Sequence, residues 1–206
     1  MSAFLDAFAR FADAMEAKEP GYKVRRAQER RERERQWGEY RIAVIAKYGS
    51  EDAAKEPTPI EQTIDAAVEP LRRGVREGTR AVESLDGWHR LLSTREAPDS
   101  VRRAVEQAAP MPTTILAAKT EYDLWNERDD ELAAAWGAAR GEAEYLSLGC
   151  YLRRDMVRDL LETGLRAQSI GDVLIRQRHY VERDFTMHEV EQAVLADLEH
   201  LVTLLP

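Results

Sequence analysis

TILAAKTEYDLWNERDDELAAAWGAARGEAEYLSLGCYLRRDMVRDLLETG, residues 114–164, decides the fold class. Ile115, Tyr122, Asp129, Trp136, Ala143, Cys150 and Val157 recur every seventh residue, and Ala118, Trp125, Leu132, Ala139, Leu146, Arg153 and Leu160 follow three positions behind. Two such series make the buried seam of a helix packed along its length on another helix. Only Asp129 and Arg153 are unsuited to a seam. A continuous helix here would be about 70 Å long at ~1.5 Å per residue. Gly137, Gly141 and Gly149 mark places where it can break, since each costs up to ~1 kcal/mol relative to alanine.

A second heptad register lies upstream. Thr58 as N-cap, Pro59 in the first helical position and Glu61 two residues on form a capping box, with proline where its missing N–H costs nothing. Ile64, Val68, Leu71, Val75, Gly78, Val82, Leu85, His89 and Leu92 then alternate steps of four and three. Pro70 falls inside this pattern without shifting its phase, so a kink is expected there. Residues 93–113 form a connector, with a short helix from Asp99 or Ser100 to Ala109 ended by Pro110-Met-Pro112. The cheapest way to bury both seams is an antiparallel helical hairpin over residues 58–163. Pairing outward from the connector sets Leu85 near Tyr122, Val82 near Trp125 and Leu71 near Trp136. Gly78 then faces Asp129 in a polar, register-setting layer, with Arg76 or Arg80 as the aspartate's partner. The excess length, Leu146 to Leu161, needs cover from Trp37–Tyr48 and from the C-terminal helices.

Residues 1–50 and 164–206 flank the hairpin. Ser2 can cap an amphipathic helix over 3–18, with Phe4, Phe8, Phe11 and Met15 on one face, and Glu19-Pro-Gly21 ends it. The next helix runs from about Lys23 to Tyr48. Its first half is nearly all charge; its second half gains an apolar face from Trp37, Tyr40, Val44, Ile45 and Tyr48. Gly164 closes the long helix. Ser169 with Asp172, and Thr186 with Glu189, then open two C-terminal helices. The β-branched residues fall at helical spacing, so no strand is expected, and no internal repeat is visible. The expected fold is all-α: a long-helix antiparallel hairpin, coiled-coil-like, with flanking N- and C-terminal helices packed as a bundle into one folded unit.

Composition narrows the function. With 33% charged and 44% hydrophobic residues, the 206-residue chain has the profile of a globular protein with a sizeable core. Its one cysteine, Cys150, precludes an internal disulfide or a cysteine-built zinc site and suits a reducing cytoplasm. No run approaches the roughly 20 apolar residues that span a bilayer. The N-terminal residues lack the basic start of a secretory signal. No glycine-rich phosphate loop and no Gly-x-Ser-x-Gly elbow occurs. Asp86-x-x-His89 and Asp197-x-x-His200 have metal-ligand spacing but are lone pairs, and His188-Glu189 lacks the second histidine of a zinc-protease helix. An enzyme, a cofactor, a metal or a small-molecule ligand is therefore not expected.

Two segments remain as candidates for binding. Residues 21–50 carry nine Lys or Arg against four Asp or Glu, a net +5, while the whole chain is −8, so the remainder carries −13. Arg25, Arg26, Arg30, Arg31, Arg33 and Arg35 on this helix could contact an anionic partner. The competing reading is a solvated helix held by spaced pairs, Glu29 with Arg33 and Arg30 with Glu34. The stretch from Leu161 to Val173 has the glycine turn of a helix-turn-helix, followed by Arg176 and Arg178 on its second helix. Against it, Asp159 stands where an apolar residue is usual, Leu160 where a small one is usual, and Gly171-Asp172 would face phosphates. The aromatic face of helix 3–18 fits a protein groove better than a membrane, because Asp6, Asp13 and Glu16 have the wrong sign for anionic lipid. The expectation is a non-enzymatic protein–protein interaction or assembly module, with a protein partner or its own copies as ligand. A nucleic-acid-binding regulator using residues 156–180 is the alternative.

Overall fold

Proline and glycine positions, more than the heptads, set where the elements begin and end. The computed structural model describes residues 10–11, 13–77, 80–138, 145–183 and 187–203. The chain divides into two compact units, one drawn from Met1–Ala54 and Ala133–Ala143, the other from Lys55–Leu132 and Glu144–Pro206. Both are helical.

In the first unit, residues 13–18 are helical and the chain turns at Gly21, whose φ of 86° favours glycine. Helix α1 (Tyr22–Tyr48) follows. It has no capping side chain at Gly21 itself. Instead the Glu16 carboxylate reaches across the turn and accepts the backbone N–H groups of Gly21 and Lys23, both at 2.8 Å. Gly49, again left-handed, ends α1 by donating its N–H to the Ile45 carbonyl. A short helix α2 (Glu51–Lys55) comes next. The unit's core is Val44, Ala54, Ala134 and Ala135, with Trp37, Tyr40 and Tyr48 packed on it. Trp37 stacks on Tyr40 and donates its indole N–H to the Ala138 carbonyl at 2.8 Å. Only the second half of α1 is held this way, as its apolar face predicts.

The second unit begins with α3 (Pro59–Val68), where Thr58 and Glu61 form the expected capping box. Here the hairpin expectation fails. The helix stops at Val68, a 3₁₀ turn covers Glu69–Leu71, and the chain enters β1 (Arg72–Glu77) and β2 (Arg80–Leu85), which pair antiparallel. Pro70 does not kink a continuing helix; it removes a donor and ends it. Val75 and Val82, seven residues apart, are cross-strand partners in this ladder, so one spacing had served two structures. Gly78 lies outside the described residues, and with it the expected layer against Asp129. Asp129 has other partners: it accepts the N–H groups of Tyr145 and Leu146 at 2.7 and 3.0 Å and faces the Arg154 guanidinium at 3.4 Å.

After a capped 3₁₀ turn (Thr94–Glu96) come α4 (Asp99–Ala108) and α5 (Ile115–Ala135). The 114–163 segment is two helices. It breaks after Ala135, where Gly137 is left-handed, and resumes as α6 (Leu148–Asp159), capped by Ser147. Gly149 lies inside α6 because α3 crosses closely there: a Cβ would sit 3.0 Å from the Ile64 and Val68 methyls. A π-helical turn (Leu160–Gly164) leads to α7 (Ile170–Glu182), with Ser169 as its cap, and then α8 (Met187–Thr203). The expected cap at Thr186 lies outside the described residues.

The seam residues themselves are correctly assigned to the interior. Ile115, Ala118, Tyr122, Trp125, Leu132, Leu146, Cys150, Arg153 and Val157 are all buried; Trp136, at the break, is 60% exposed. One core cluster joins α3, α4, α5 and α6 through Ile64, Val68, Val101, Val105, Trp125 and Leu152. Leu146 and Leu148 lie in that cluster, covered by residues of α3 and α4. A second cluster joins α5, α6 and α7 through Ile115, Tyr122, Val157, Leu161 and Val173, with Val194 and Leu201 of α8 against it. The C-terminal helices do cover that end, as expected.

Candidate anion-binding helix

Residues 23–36, the charged half of α1, are exposed at every position. About 20 Å of helix, at ~1.5 Å per residue, therefore stands clear of the packed core of its unit. Isolated helices of this length are marginal in water, and three local devices support this one. Glu16 caps its start, and those two backbone N–H groups hold the Glu16 carboxyl below its ordinary range. Lys23 pairs with Asp13, and Arg25 with Glu19 at 2.7 Å. Arg35 bridges Glu32 at 2.6 Å and Glu39 one turn further on, and with Gln36 it lowers the Glu32 carboxyl to about 2.

The charge pairs differ from those the sequence suggests. Glu29 turns back to Arg26 at 3.2 Å rather than forward to Arg33, and no Arg30–Glu34 pair forms. Arg30, Arg31 and Arg33 consequently have no carboxylate partner among the described residues. Lys23, Arg26, Arg30 and Arg33 recur at steps of three, four and three, which puts them along one face. That face borders a shallow groove of about 240 Å³, whose other walls are Phe11, Tyr22 and Ala27. Phe11 is 55% exposed and Met15 is half-buried, while Phe4 and Phe8 lie outside the described residues. The arrangement offers several guanidinium donors beside an aromatic ring, a combination suited to carboxylate or phosphate groups.

The two candidate arginines of the helix-turn-helix-like segment are placed differently. Arg176 is buried: one terminal nitrogen donates to both Asp197 oxygens at 2.5 and 2.6 Å, and the rest of the guanidinium donates to the Leu161 and Leu165 carbonyls. It ties the turn to α8 and is not available to a nucleic acid. Arg178 is exposed, but the outward stripe of α7 is mainly apolar, with Ile170, Leu174 and Val181 at 59, 48 and 67% exposure. On α8, Leu195, Leu198 and Val202 face outward too.

Several other titratable groups are engaged within the fold. His179 Nε2 lies 3.2 Å from Glu162 Oε1, and its ring meets Tyr122 edge-on. Asp86 accepts a hydrogen bond from Ser100, and Asp197 is paired with Arg176. His89 is buried, with Nδ1 unbonded. Among the described residues no group of three His, Cys, Asp or Glu could hold a metal ion, and no helix is long and apolar enough to cross a membrane. Burial pushes the Cys150 thiol up to about 12, the value of a packed filler rather than a nucleophile. No protein-family model, no curated protein and no solved structure matches the chain.

Proposed function

We propose that the chain is a non-enzymatic helical interaction module whose first unit presents the basic half of α1 to an acidic face of a protein partner, in a reducing cytoplasm. The observation that carries this reading is the fully exposed stretch 23–36 with Arg30, Arg31 and Arg33 unmatched by carboxylates among the described residues. These cations have no carboxylate partner among the described residues although the chain is net −8, and a protein surface rich in Asp and Glu complements them. Glu29, Glu32 and Glu34 are interleaved on the same helix and oppose a polyphosphate backbone. A protein face can place its own cations opposite them. The apolar stripes of α7 and α8 support protein partnership as well, including self-association, because exposed apolar residues at helical spacing suit another helix.

The test is fluorescence anisotropy of labelled poly-glutamate and of a labelled DNA duplex, each titrated with the intact chain across a salt series. Poly-glutamate is expected to bind at low salt, and Arg30→Glu with Arg33→Glu to weaken it at least tenfold. Absence of binding to both probes at 20–50 mM salt, an ordinary low-salt window for electrostatic binding, would remove the basic helix as a contact surface. Tighter binding to DNA with a steep salt slope would transfer the assignment to nucleic acid.

A further inference from the structure

We infer that the second unit holds a binding site for a small organic dianion, separate from the basic helix, in the cleft between the Leu160–Gly164 turn, α7 and α8. The cleft has a volume of about 460 Å³, and its polar lining includes Arg95, Glu162, Arg166, Arg176, Tyr180 and Asp197. Its floor is fixed. Arg176 is saturated by both Asp197 oxygens and by the Leu161 and Leu165 carbonyls. The Tyr180 hydroxyl donates to the Glu162 carbonyl. Of the two carboxylates of the lining, Asp197 is paired with Arg176, and Glu162 lies 3.2 Å from the His179 ring and 3.9 Å from Arg158, which it shares with Asp155 and Asp159.

Arg95 and Arg166 are left over. Both are exposed, both border the cleft, and neither guanidinium has a carboxylate partner among the described residues. The lining thus carries three guanidinium groups against two carboxylates, a net +1 in a chain of net −8, with two of the three guanidinium groups unpaired by any described carboxylate. Arg95 is held by the capped Thr94–Glu96 turn, and Arg166 leaves the chain beside buried Ala167, so their backbones are anchored while their guanidinium groups face solvent. Guanidinium forks match phosphate and carboxylate oxygens in pairs. Leu165, Ala193 and Ala196 add an apolar wall, which favours an anion with a hydrocarbon body over a bare inorganic ion. A phosphate monoester and a dicarboxylate share the required chemistry.

Isothermal titration of the full chain with phenyl phosphate, succinate and inorganic phosphate separates the sources. At least one organic dianion is expected to bind, more tightly than inorganic phosphate. Arg95→Gln and Arg166→Gln are each expected to weaken it about tenfold, the loss of one charge-assisted contact at a partly hydrated site. Both side chains are exposed, so thermal melts of the variants should match the parent. Arg30→Gln with Arg33→Gln serves as the control and should leave this binding unchanged. No heat at 10–20 mM ligand, a concentration set by the weakest affinities of interest, would overturn the inference. So would unchanged affinity in the double Arg95→Gln, Arg166→Gln variant, or a loss produced only by the α1 variants.

Discussion

Removing the carboxylate of Glu121 should destabilise the second unit more than removing the cation it serves. Arg153 is 1% exposed and lies at a seam position of α6. Glu121 of α5 is its carboxylate, with Nε to Oε1 at 2.6 Å and a second contact at 3.0 Å. The same guanidinium donates to the Ala109 and Pro110 carbonyls at 2.5 and 2.9 Å, closing the turn between α4 and α5. Glu121→Ala strands a buried charge, which costs about 3–5 kcal/mol. Arg153→Met removes the charge with its long stem replaced, leaving chiefly the Ala109 carbonyl unsatisfied at about 1–3 kcal/mol. On the Arg153→Met background, Glu121→Ala then loses only the hydrogen bond from the Trp125 indole at 3.1 Å, about 1 kcal/mol. The cycle should yield a coupling of about 2–4 kcal/mol. Urea unfolding followed by circular dichroism reads this directly: at about 2 kcal/mol/M, Glu121→Ala lowers the midpoint by roughly 2 M in the parent and by about 0.5 M in the Met background. Equal midpoint shifts in the two backgrounds, additive within ~0.5 kcal/mol, would refute the coupling and the role assigned to the pair.

Two further predictions concern protons. With its thiol raised to about 12, Cys150 should resist alkylation in the folded chain at pH 8 and react once urea unfolds it. Because the unfolded thiol ionises near 9, stability should be unaffected below that pH and fall as pH rises from 9 toward 12, a slope that Cys150→Ala removes. Glu16 is shifted the other way by the Gly21 and Lys23 N–H groups, so its contribution is present above its ordinary value of 4.5 and is lost as pH falls below it. The amide resonances of Gly21 and Lys23 should move together in that acid range, and Glu16→Gln should blunt the change; amides indifferent to acid would refute the cap.

Local signals survived translation into structure, and signals needing a distant partner did not. The Thr58–Glu61 box and the Ser169–Asp172 cap are legible because both partners lie within one turn. The seam from Ile115 to Val157 is legible as burial, since periodicity reports which face is covered. It does not report by what. Val75 and Val82 satisfy a heptad and a two-stranded register equally well, and the deciding residue, Pro70, could be taken as kink or stop. On α1 the ambiguity is between steps of three and four: Glu29 can reach Arg26 or Arg33 at similar cost, and taking Arg26 leaves Arg33 without it. Nothing near Arg95 or Arg166 in sequence marks a cleft, because its walls combine Arg95 with residues of three later segments, the Glu162–Arg166 stretch, α7 and α8.

The residues that broke the heptad pattern explain why the second unit adopts one arrangement. Asp129 and Arg153 look like errors in a seam, yet each fixes backbone from another segment. Asp129 holds the N–H groups of Tyr145 and Leu146, where the chain returns toward α6. Arg153 holds the Ala109 and Pro110 carbonyls, where it enters α5. Apolar residues would bury as well but could not select these ends, and a buried ion pair is a poor source of stability and a good selector of geometry. The same logic runs through the unit: Arg128, Arg154 and Arg176 each face a carboxylate inside it. In a chain that matches its interior charges so consistently, the arginines left unmatched at the surface stand out by contrast. Arg30, Arg31 and Arg33 on α1 and Arg95 and Arg166 at the cleft share that condition with exposed Arg178, and what distinguishes four of them is that Arg30 and Arg33 line one groove and Arg95 and Arg166 another.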